Sequence, residues 1–257
     1  MLTIRPEQAD TFRKVALQKF EDEMVEHLRK SSPRHWKVIG DEHGRRFIRL
    51  GIEHARRYGF TNRGPVRFYV ELMFMFGSYF DTDPQYSCAS AVLRDAEPVD
   101  QTVRADRLYA AMNQYLAEVS GPDYRYLIEA LRRMTHLRIE DFLAPGIAPE
   151  EGILEKLRFA YPQKCEFLGE PVLRVVIRHG FKLADTYALA TDRGRVLMTG
   201  FAFAIGHGFP KDPLHGWIGR RLAEPKFPSA EDRVNELYSK ALLYLSHIQA
   251  LADEPRT

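Results

Sequence analysis

The sequence predicts an all-α fold made of two tandem, related helical bundles. The first observation behind this is a self-match: displaced by 129 residues, the chain falls into register with itself without a gap. From Phe47 to Leu116, 16 of 70 positions are identical to their counterparts, where composition alone gives about 4. They include Ile48-Arg49 with Ile177-Arg178, Gly51 with Gly180, Gly77 with Gly206, Asp83-Pro84 with Asp212-Pro213, Arg104 with Arg233, and Leu108-Tyr109 with Leu237-Tyr238. The second observation is apolar spacing in steps of three and four, the period of a helix with one buried face. The third is punctuation by proline and glycine at positions that start and stop helices.

Taken in order, the first helix sets Leu17, Phe20, Met24, Val25 and Leu28 on one side and Glu21, Asp22, Glu23 and Glu26 on the other. Pro33 ends it, as Pro162 ends the counterpart 153–158. A second helix over 44–58 aligns Ile48, Ile52, Ala55 and Tyr58. Its counterpart, Val172 to Ile177, is rich enough in β-branched residues to pass for a strand in isolation. The helical pattern around 46–50 decides for helix in both. Asn62-Arg63-Gly64-Pro65 turns into a third helix over 65–78, apolar most of the way round and central to its unit. Asp81-Thr82-Asp83-Pro84 supplies a cap and a proline start for a fourth, and a fifth over 101–118 carries Leu108, Met112, Tyr115 and Leu116 inward. Gly121-Pro122 marks the junction, residues 123–134 form a connecting helix, and Ala144-Pro145-Gly146 opens the second copy. The expected units are therefore 1–120 and 146–257, joined by 121–145. Apolar central helices in both copies favour packing as one pseudo-symmetric body.

Hydrophobic residues at 45%, charged residues at 28% and a net charge of +2 place the chain among globular proteins, with no global field that demands nucleic acid or an anionic membrane. Two cysteines argue against a disulfide framework and fit a reducing compartment. The longest apolar runs, Phe68 to Phe76 and Val196 to Ile205, fall well short of the roughly 20 residues of a membrane span. The first residues carry no secretory pattern. The expectation is a soluble cytoplasmic protein.

A residue shared by both copies reads as architecture, and an unshared one is free for function. Asp81 and Asp83 form a D-x-D pair able to hold a cation, but Pro210 replaces Asp81 in the second copy. Only Asp83/Asp212 recurs, beside recurring arginines. The expectation is a bidentate pair within each unit: Asp83 with Arg49 or Arg104, and Asp212 with Arg178 or Arg233. His207, Asp212 and His215, with His179 nearby, are weak candidates for a metal site at a spacing that matches no established ligand pattern. Cys88 falls on Trp217 and Cys165 on Trp36, slots that suit packed side chains. No glycine cluster makes a phosphate loop. The unshared basic run Arg45, Arg56, Arg57, Arg63 and Arg67 is the best candidate interaction surface, with Tyr86 as an exposed aromatic anchor.

Four stretches, Phe20 to Arg29, Gly51 to Phe60, Leu72 to Pro84 and Arg104 to Tyr109, resemble a loose family of helical bacterial proteins encoded near type VI secretion spikes and their toxic effectors. The second copy looks like a diverged version of the same unit. The resemblance brings no catalytic residue and no cofactor. It implies a non-enzymatic, protein-binding role toward a cognate secreted effector, as an immunity protein or as a chaperone or adaptor. Two other classes stay open: a metal-dependent enzyme or toxin using the histidine edge of the second unit, and a nucleic-acid binder using the arginine face of the first.

Overall fold

The computed structural model describes residues 5–224 and 229–252. Among them the regular elements are all helical: α1 (Pro6–Ser31), α2 (Pro33–Ile39), α3 (Asp41–Arg57), α4 (Arg63–Phe76), α5 (Ser87–Leu93), α6 (Gln101–Ser120), α7 (Arg125–His136), α8 (Pro149–Ala160), α9 (Pro162–Thr186), α10 (Asp192–Ile205), α11 (Gly216–Ala223) and α12 (Ala230–Ala252), with short 3-10 turns between some of them. None of the described helices is long and apolar enough to cross a membrane. The ambiguous Val172 to Ile177 lies inside α9 and is helical. Pro33 and Pro162 do more than stop a helix: each is the first residue of the next one, where its missing N–H goes unneeded. The fourth helix differs in detail from the expectation, since Pro84 opens a 3-10 turn over Pro84–Tyr86 before α5 begins.

Local geometry recurs at the 129-residue spacing. Gly77 and Gly206, which end α4 and α10, hold φ of 93° and 95°, a left-handed backbone that glycine adopts without steric cost. Arg104 donates to the Tyr58 carbonyl at 3.1 Å and Arg233 to the Tyr187 carbonyl at 2.9 Å, satisfying the last carbonyls of α3 and α9. Arg45 bridges Glu21 and Asp22, and Arg174 bridges Glu150 and Glu151. Gly51 and Gly180 sit where helices cross closely: a Cβ on Gly180 would lie 2.6 Å from the Thr199 Cα. Buried residues of both halves, among them Phe47, Tyr69, Phe80, Phe203 and Phe209, form one continuous core.

The recurring aspartates join the halves and do not pair with the recurring arginines. Asp212, 2% exposed, accepts from the Ser78 amide at 2.8 Å and the Ser78 hydroxyl at 2.6 Å. Asp83, 1% exposed, accepts from the His207 amide at 2.7 Å. Ser78 and His207 are themselves counterparts, so each aspartate closes the turn of the other half in a reciprocal exchange. Each also caps its own 3-10 turn, Asp83 through Gln85 N–H and Asp212 through Leu214 N–H, both at 2.9 Å. The expected within-unit pairs are thereby corrected. Arg49 instead forms a bidentate bond to Glu21, Arg104 and Arg233 are spent on carbonyls, and Arg178 is exposed. The physical reason is that short carboxylate side chains beside a glycine turn reach peptide N–H groups sooner than a guanidinium on another helix. Burial alone would raise the Asp83 pKa, but the His207 ring and the peptide N–H bonds outweigh it and hold the carboxyl below its ordinary range.

Removing one of these carboxylates strands a buried N–H. Asp212→Ala is expected to cost about 3 kcal/mol or more in urea unfolding, with Asp83→Ala similar. The exposed Asp106→Ala control stays within about 0.5 kcal/mol. A loss at Asp212 no larger than the control contradicts the reciprocal exchange.

Candidate functional site

The arginine face of the first unit is largely occupied by its own neighbours. Arg45 contacts Asp22 at 2.6 Å, Arg57 contacts Glu53 at 2.8 Å, and Arg67 contacts Glu71 at 2.9 Å. Arg63 pairs with Glu23 and lies over the Phe20 ring. Arg56 is exposed. The acidic side of α1 and the basic run of α3 and α4 thus neutralise each other in several places. Arg45 is also shared rather than unshared, because Arg174 holds the equivalent acid pair. Tyr86 cannot be an exposed anchor: it is 5% exposed and packs against Phe76 and Tyr115 at centroid distances of 5.2 and 5.3 Å. It is the last residue of the 3-10 turn that Pro84 opens, and that turn faces the core, with Gln85 buried beside it.

The histidine edge divides between two places. His207 turns toward Asp83, with Nδ1 3.2 Å from Oδ2, while its Nε2 lies 3.3 Å from the Thr82 hydroxyl. His179 joins it through a 3.0 Å contact between Nε2 and the His207 carbonyl. Asp212 is committed to Ser78 and Leu214, and His215 is buried against Tyr244. Among the described residues no three His, Cys, Asp or Glu side chains are placed to hold a metal ion. Cys165 is buried where Trp36 is buried in the other half, and burial pushes its thiol up to about 11. Burial also raises Cys88, so neither thiol is poised as a thiolate at neutral pH.

The most developed site was not singled out in the sequence. It is a cavity of about 430 Å³ bounded mainly by α6, α7, α8, α10 and α12, within the size range of small-molecule sites. Leu127, Leu131, Leu157, Leu197 and Leu245 give it aliphatic walls, and Lys164 from the first turn of α9 lines it as well. Lys164 is 5% exposed; its Nζ donates to the Phe203 carbonyl at 2.7 Å and lies 4.4 Å from the Phe203 ring centroid. That carbonyl belongs to the last turn of α10, where a cation also meets the negative end of the helix dipole. Burial lowers the lysine pKa to about 8, with Asp83 pulling it the other way. The counterpart in the first half is His35, whose ring lies 5.0 Å from that of Phe74, the counterpart of Phe203. A signal did exist: Lys164 adjoins Cys165, already assigned to a packed slot, and a lysine beside a packed slot is a reason to look inward.

No family model, curated protein or solved structure matches the chain.

The buried lysine makes a stability test with a definite sign. Its folded pKa of about 8 lies below the ordinary value of 10.5, so the unfolded chain holds the extra proton between those values, and native stability rises with pH across that window. Lys164→Met is expected to be more stable than wild type at pH 7 by about 2 kcal/mol, after allowance for the lost carbonyl bond. The difference narrows as pH climbs above 8. A wild type that is the more stable at pH 7, with a difference indifferent to alkaline pH, contradicts this reading of Lys164.

Proposed function

We propose that the protein is a non-enzymatic binding module for a cognate secreted effector, acting as an immunity protein or as a chaperone or adaptor of a type VI secretion system. The observation that carries a protein-docking role is the first half of α1. Residues 11–19 are all exposed, including Phe12 at 64% and Val15 at 62%. Leu17, expected to face inward, is 37% exposed; packing begins only at Phe20, where α1 meets α3. A short helix without tertiary support is marginal in water, and its apolar residues gain most by burial against a partner chain. The open surface continues along α1 itself over Val15, Gln18 and Lys19 to Asp22, Glu23 and Glu26, whose carboxylates are met by Arg45, Arg63, Arg29 and Lys30, so the apolar Phe12 and Val15 are what this arm offers a partner. Occlusion or stabilisation of an effector calls for a total buried area of order 1,600 Å², to which this arm and the exposed Arg56 and Arg57 of α3 can contribute.

Affinity capture of the wild-type protein from its native host is expected to return one stoichiometric toxin-like partner. Phe12→Asp combined with Val15→Asp should lower its recovery by about ten-fold or more without moving the unfolding midpoint. Recovery that survives the double substitution removes α1 as the docking surface; absence of any stoichiometric protein partner removes the binding role. Co-expression then separates immunity, which suppresses toxicity, from escort, which raises effector solubility.

A further inference from the structure

We propose that the cavity around Lys164 is a binding site for a single-chain aliphatic carboxylate, with the acid group seated on the lysine ammonium and the chain along the leucine walls. The space is a partly open, mostly apolar pocket of about 430 Å³, a size and character that suit a small amphiphilic ligand. The chemistry of the walls selects it. Among the described lining residues Lys164 is the one Lys, Arg, Asp or Glu, so they offer a positive charge and no carboxylate to compete with an anion. Asp83, the acid nearest in its influence on Lys164, does not line the cavity, and its oxygens are engaged by His207 and Gln85. His215, the other basic lining residue, is pushed toward its neutral form by burial.

Orientation follows from burial. Ile153, Lys164 and Phe203 are buried, whereas Leu131, Met134, Leu245 and Ile248, from α7 and α12, are half-buried. The charged group itself is therefore buried, while the lining opens along the half-buried α7–α12 side and at the exposed Met75, Tyr124, Gly200 and Ala204. Two contacts hold that side together: Thr135 donates to Gln249 at 2.9 Å, and the Tyr238 hydroxyl reaches the Leu137 carbonyl at 3.4 Å. A lysine that served only to cap α10 would need none of this volume. Of its three N–H groups, one is given to the Phe203 carbonyl, which leaves donors for a carboxylate. An ion pair formed in such a dry setting is stronger than one in water.

The test is calorimetric titration of the full chain with decanoate, decanol and decyltrimethylammonium, each below its aggregation limit. Decanoate is expected to bind saturably at one site per chain, with decanol weaker by about ten-fold or more and the cation not binding. Lys164→Met should bring decanoate down to the level of decanol while decanol is unchanged, and Leu131→Trp, which fills part of the aliphatic wall, should weaken both. Failure of decanoate to bind, equal binding of acid and alcohol, or an acid preference that persists in Lys164→Met overturns the proposal. The comparison of ligands on wild-type protein decides the matter even if a variant does not fold. Its outcome is independent of the α1 docking surface.

Discussion

Two buried carboxylates exchanged between the halves are the constraint on which the rest of the molecule depends. An ionised carboxylate in a core is tolerable only when its oxygens are fully hydrogen-bonded. Asp83 and Asp212 meet that condition with peptide N–H groups from the opposite half and from their own turns. The donors are presented by the glycine turns that end α4 and α10. Those turns are also close together: a Cβ on Gly77 would lie 2.9 Å from the Ile205 carbonyl oxygen, and one on Gly206 would lie 3.4 Å from that of Phe76. Glycine, the residue that follows it, and Asp-Pro five residues later thus act as one device, used twice and interlocked.

Around that shared centre the halves diverge in content. The first half sends α1 well beyond its core, while its counterpart α8 is a 12-residue helix that is packed on both of its neighbours. The second half carries Lys164 where the first carries His35, and His215 where the first carries Tyr86. These substitutions fall beside the cavity. The arm and the cavity lie in different parts of the fold, so a macromolecular partner and a small amphiphile can be accommodated without competition for the same residues.

Much of the fold was legible because helical period, proline placement and internal register all point the same way. The register was decisive at Val172 to Ile177, where local composition favours a strand and the counterpart does not. It also marked Gly77/Gly206 and Asp83/Asp212 as architecture. What register cannot convey is which half supplies the partner. Asp83 lies 124 residues from His207 along the chain, and an exchange between the two halves looks the same in sequence as a pair within each unit. The candidate site was less legible for a related reason. Exposed charge is conspicuous in a sequence, yet Arg45 and Arg63 are met by acids of α1 that only packing brings beside them, and Arg57 and Arg67 are met by Glu53 and Glu71 one turn away on their own helices. A cavity has no residue signature of its own, because its leucines look like any other core leucines. Lys164 was its single outward sign, and its meaning depended on knowing that α9 turns that position inward.

The reciprocal exchange makes the two halves unfold as one cooperative body, since opening either half breaks the carboxylate bonds of both. Native-state hydrogen exchange of the Ser78 and His207 amides tests this most directly. Both are expected to exchange only through global unfolding, with equal free energies and equal denaturant dependence. Exchange of one amide through a sub-global opening that leaves the other protected would contradict the account.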